Sequence, residues 1–137
     1  MTRRLLFAIL ALCGLAFLLV HSGAHAQTLS QQQSAAYSAT NAQTIKVATG
    51  RSTATIYVMQ YLLSASAAGT VQIEYGTGST CGTGTVNITG ALQIAAGGNV
   101  QAGNGGGTLF VVPPGNDVCI ASTGTASFAG HISFLQY

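Results

Sequence analysis

From residue 44 onward the chain alternates short β-favouring runs with turn formers, and no stretch sustains a helical period, so sheet is the architecture left open to it. In residues 70–75, Val71, Ile73 and Tyr75 fall on one face and Thr70, Gln72 and Glu74 on the other, the pattern of a half-buried strand. Similar runs occupy residues 44–48, 53–63, 85–89, 91–95, 108–112, 118–122 and 127–137. Glycine, proline and asparagine separate them, at Gly50, Gly69, residues 76–84, Gly97-Gly98-Asn99, residues 103–107, Pro113-Pro114-Gly115-Asn116 and Thr123-Gly124. Seven or eight strands so spaced predict an all-β fold, a single antiparallel β-sandwich with jelly-roll winding as one option. The 53–63 run carries apolar residues on both parities, Ile56 and Val58 against Tyr57, Met59 and Tyr61. It therefore reads as a strand covered on both sides, by the N-terminal segment or by another subunit.

The first 26 residues are of a different kind. Arg3 and Arg4 precede an apolar run from Leu5 to Val20, and Ala24-His25-Ala26 stands before Gln27, the pattern of a secretory signal peptide cleaved between Ala26 and Gln27. The apolar run is shorter than the roughly 20 residues needed to span a bilayer, and no second such run follows, so no integral span is expected after processing. Its leucine-rich core directly behind the arginines favours the general secretory route over the twin-arginine one. Residues 27–43 hold mostly Gln, Ser, Ala, Thr and Asn, with Leu29 and Tyr37 the larger apolar side chains. That is too little to bury against the cost of ordering, so a flexible polar arm is expected before a β-sandwich domain over residues 44–137.

Beyond residue 26 the charged side chains are Lys46, Arg51, Glu74 and Asp117, a formal charge of zero. Without a basic stripe there is nothing to neutralise a row of phosphates, which argues against a nucleic-acid partner, and electrostatic membrane attachment is disfavoured likewise. A chain without net charge also lacks the self-repulsion that keeps copies apart, so a homo-oligomer is expected, with a monomer solubilised by Thr, Ser, Asn and Gln as the alternative.

Two cysteines remain after processing, Cys81 and Cys119, and in an exported chain the simplest expectation is one disulfide. A metal site is a poor rival, because two thiols without Cys-x-x-Cys spacing and one histidine make a weak ligand set. A nucleophilic triad has only His131 and Asp117 to draw on, and a glycosidase pair only Glu74 and Asp117, so no catalytic residue is assigned. The glycine-rich stretches lack the Gly-Lys-Ser/Thr ending or third glycine of a nucleotide loop, and no cofactor is expected. His131 alternates with Phe128, Ile132 and Phe134, which places it on the outer face of the last strand. Tyr57, Tyr61, His131 and Tyr137 make up the candidate binding surface, for another copy, a surface glycan or a receptor protein.

The second half of the chain also resembles a known group. Tyr75-Gly76-Thr77-Gly78, Cys81-Gly82-Thr83-Gly84, the 103–107 glycine loop, Pro114-Gly115-Asn116-Asp117-Val118-Cys119 and the closing Gly130-His131-Ile132-Ser133-Phe134-Leu135-Gln136-Tyr137 are similar to small uncharacterised β-sandwich proteins, secreted by bacteria or associated with tailed phages. The resemblance implies a β-sandwich, paired cysteines and a surface or virion-associated role, with no catalytic residues to carry over. The signal peptide favours the exported bacterial members. The expected function is therefore that of an exported, non-enzymatic structural or surface protein acting by self-assembly or surface attachment, with a monomeric glycan- or receptor-binding module as the alternative.

Overall fold

A computed structural model describes residues 32–104 and 106–137, and within them every regular element is a strand. The signal peptide, its cleavage point at Ala26 and Gln27, and residues 27–31 lie outside the described residues. The strands are β1 (Gln33–Thr40), β2 (Gln43–Ala48), β3 (Ile56–Ala65), β4 (Gly69–Thr77), β5 (Thr83–Asn87), β6 (Leu92–Ile94), β7 (Asn99–Ala102), β8 (Phe110–Val112), β9 (Asp117–Thr123) and β10 (Ser127–Gln136).

They form two antiparallel sheets. Sheet 1 runs β1-β10-β3, with β7 and β8 end to end along the far edge of β3; sheet 2 runs β2-β9-β4, with β5 and β6 end to end along the far edge of β4. Counting each end-to-end pair as one position gives two four-position sheets in the order of a jelly roll, its chain crossing repeatedly from sheet to sheet. The expected sandwich is present, and the strands number ten because β1 and β7 join the eight runs expected from the sequence. In β5 and β6 the split falls where the Thr89 hydroxyl, in place of a ladder partner, accepts from the Ile73 N–H at 2.9 Å.

The core lies between the sheets. Tyr37, Val58, Leu63, Phe128 and Ile132 of sheet 1 meet Val71, Ile73, Val118 and Ile120 of sheet 2, all nearly or fully buried. Removing each such side chain from water contributes about 1.5–3 kcal/mol.

Two sequence expectations need correction. Residues 33–40 do not form an arm: they pair along their whole length with β10, from Gln33 opposite Phe134 to Thr40 opposite Ser127. Tyr37 and Ala39 are each 2% exposed. Small residues suffice on this strand because only its inward positions need filling, and Tyr37 lies over Gly130, which has no side chain of its own. A Cβ at Gly130 would come within 1.9 Å of the Leu62 carbonyl oxygen.

The second correction concerns β3. Its mixed parity comes from a β-bulge. Ser133 pairs with Gln60 but Phe134 pairs with Val58, so Met59 is an extra residue and the inward parity changes there. Ile56 and Val58 point inward before it, and Tyr61, Leu63 and Ala65 after it. The same bulge separates β8, which pairs with Ile56 to Val58, from β7, which pairs with Tyr61 to Ser64. Gly103 turns the chain out between them at φ +79, where a Cβ would stand 2.1 Å from the Met59 carbonyl oxygen.

Candidate functional site

The bulge also redistributes the candidate tyrosines. Tyr61, past the bulge, is in the core at 7% exposure and leaves the candidate surface. Tyr57, before it, faces outward between its cross-strand partners Val111 and Leu135. Tyr137 stacks on Tyr57, with ring centroids 4.8 Å apart. His131 lies half-buried on the same outward face, between Ala36 and Leu62, two outward steps along β10 from Leu135.

Together these residues make an apolar patch at one end of sheet 1. Of the four large apolar side chains most exposed in the described residues, Val111 and Tyr137 belong to it and Leu109 directly precedes β8 beside Gly103; Val86, on β5, is in the other sheet. No strand of sheet 1 contains Lys, Arg, Asp or Glu. The sequence pattern singles out the tyrosines but not Val111, whose exposure depends on which parity of β8 pairs outward with Tyr57.

All four charged side chains of the described residues belong to sheet 2 or the loop following β2, and lie toward the same end of the sandwich as the tyrosine pair. Asp117, at the start of β9, is buried; its Oδ2 is 2.6 Å from Lys46 Nζ and its Oδ1 accepts from the Gly50 N–H at 2.8 Å. Glu74 is also buried, beside Cys119 in the register, and desolvation pushes its carboxyl pKa up. Glu74 and Asp117 are thus diagonal neighbours on the outward face of sheet 2, a juxtaposition no sequence pattern revealed. Both Asp117 oxygens are engaged, which gives that carboxylate a structural role at the root of β9. His131 and Asp117 face outward from opposite sheets, so the fold does not assemble the triad those residue types would require.

The disulfide Cys81–Cys119 is present, with Cα atoms 6.2 Å apart and both cysteines fully buried. It ties the β4–β5 loop to the outward side of β9. Cys81 has φ +54, in the left-handed region more usual for glycine, and the Thr85 hydroxyl donates to its carbonyl oxygen.

Two clefts open at opposite ends. One, of about 410 Å³, is lined by Ser38, Thr40, Ser64, Ser66 and Ser127, several of whose polar groups are occupied: Ser64 donates to the Ala129 carbonyl and Ser66 accepts from the Ser127 N–H. The other, of about 420 Å³, lies at the charged end between β1, the end of β2 and the end of β10, with Arg51 on its rim. No protein-family model and no curated protein matches this chain.

Proposed function

We propose that this chain is an exported, non-enzymatic structural or surface protein that acts by assembling with copies of itself, the outward face of sheet 1 carrying the contact. The observation that carries this reading is the patch of Tyr57, Val111, Leu135 and Tyr137 on a sheet without a charged residue. Exposed apolar surface gathered on one face is characteristic of interaction sites, and a second copy brings no like charge against it. The edge strand β1 adds a second route to association. It pairs in unbroken register over eight residues and has none of the lysines, prolines or bulges that usually protect a sheet edge. A disulfide in a small domain fits an oxidising compartment, which supports export.

Sedimentation velocity on the processed chain, over a concentration series, tests the reading. A defined oligomer or a growing assembly is expected; a monomer at every concentration would contradict it.

A further inference from the structure

The cleft at the charged end has the make-up of a small-anion site. Its lining combines apolar side chains, Phe134 the largest of them, with Gln33, Ser34, Thr49, Arg51 and Gln136. At about 420 Å³ it falls within the usual range for small-molecule pockets, about 300–1,000 Å³.

Arg51 is the distinctive element. The other cation, Lys46, is committed to Asp117, whereas no carboxylate among the described residues forms an ion pair with Arg51. Its backbone is nevertheless fixed, since its carbonyl oxygen accepts from both the Ala54 N–H at 3.2 Å and the Gly115 N–H at 2.9 Å. The adjacent Gly50 is held by Asp117. Gln136, also on the lining, donates from Nε2 to the Thr49 carbonyl at 3.2 Å, which fixes its amide beside the cleft. An arginine on a braced loop, sharing one cleft with amides, hydroxyls and apolar side chains, matches a ligand with one carboxylate, several hydroxyls and a C–H face. The planar fork of arginine binds a carboxylate through two parallel hydrogen bonds.

We propose that this cleft binds a carboxylate-bearing monosaccharide unit, with Arg51 receiving the carboxylate, Gln33, Ser34 and Gln136 meeting the hydroxyls, and the half-buried Ala35 and Val47 meeting the C–H face of the ring. The cleft shares no lining residue with the apolar patch of sheet 1, and Arg51 itself lies neither in that patch nor on β1, so Arg51 can be changed without altering either proposed route of association.

The test is an NMR or calorimetric titration of the processed chain with sodium glucuronate, glucose and sodium acetate, repeated on Arg51→Gln. Saturable glucuronate binding is expected, about tenfold or more weaker in Arg51→Gln and likewise weaker for glucose and acetate. Backbone amide shifts in the wild type should centre on Ser34, Arg51 and Gln136. Glucuronate binding unchanged in a folded Arg51→Gln, or no binding by the wild type, would overturn the proposal. Acetate binding as tightly as glucuronate would overturn the saccharide assignment. The assembly state of Arg51→Gln should equal that of the wild type, which distinguishes failure here from failure of the self-assembly reading.

Discussion

Tyr137 lies flat against Tyr57, with ring planes 17° from parallel, and the Thr55 and Tyr137 backbones exchange N–H to carbonyl hydrogen bonds of 2.9 and 3.3 Å beside them. The pair therefore projects from a fixed backbone as one aromatic platform. Because Tyr137 is 62% exposed, Tyr137→Ala should cost the fold only about 0.5–1.5 kcal/mol while weakening association measurably. Denaturant melts paired with sedimentation would check this. Unaltered association would remove the platform from the contact.

The disulfide closes a sequence separation of 38 residues. Constraining a loop of that size in the unfolded chain contributes about 4 kcal/mol in the chain-entropy description. Reduction, or the double change Cys81→Ala and Cys119→Ala, should lower the thermal midpoint by roughly 15 °C or more and leave the β-type circular dichroism below it intact. A midpoint unchanged on reduction would contradict the assignment of that stability to the bridge.

Tyr37 measures how far β1 belongs to the fold. Its hydroxyl is buried without a hydrogen bond of ordinary geometry, and burial raises its pKa, with Ser122 pulling in the opposite direction. Tyr37→Phe should therefore be neutral or stabilising by up to about 1 kcal/mol, whereas Tyr37→Ala should cost about 3–5 kcal/mol. Deleting residues 27–40 should abolish cooperative unfolding. A truncated chain that melts like the intact one would restore the flexible-arm reading.

The parts of this molecule legible in the sequence are those governed by local chemistry. The alternation of Val71 and Ile73 with Gln72 marks a strand because one face of it is core, and two cysteines in an exported pattern point to one bridge. The β1 strand escaped because its inward contribution is essentially Tyr37 and Ala39, a signal too sparse to separate from a polar tail. Asn99–Ala102 was hidden similarly, with Val100 and Ala102 packed inward between glycine-rich turns. The Met59 bulge is a single-residue change of register, and it exists only in relation to β10. Parity counted through it made β3 look covered on both sides and put Tyr61 on the surface. The Arg51 cleft was invisible for the same kind of reason, since its walls come from residues more than 80 apart in the chain, such as Thr49 and Gln136.

Glu74 gives a pH signature. Desolvation raises its folded-state pKa, so the native protein holds that proton to higher pH than the unfolded chain does. The ionised group therefore costs stability at neutral pH, and the cost is relieved as pH falls through the raised value toward the ordinary one near 4.3. Glu74→Gln should raise the thermal midpoint at pH 7, and the gain should shrink toward zero below about pH 4. A gain of constant size across this range, or a loss at pH 7, would contradict the desolvation account.

The proposed contact joins copies of this chain through the outward face of sheet 1, and Val111, 52% exposed opposite Tyr57, is the place to break it. Size-exclusion chromatography with light scattering should compare the processed wild type with Val111→Lys across a concentration series, both first confirmed to melt at similar temperatures. An oligomer in the wild type that reverts to monomer in Val111→Lys is the expected result. A wild type that stays monomeric, or a variant that assembles equally well, would contradict the claim.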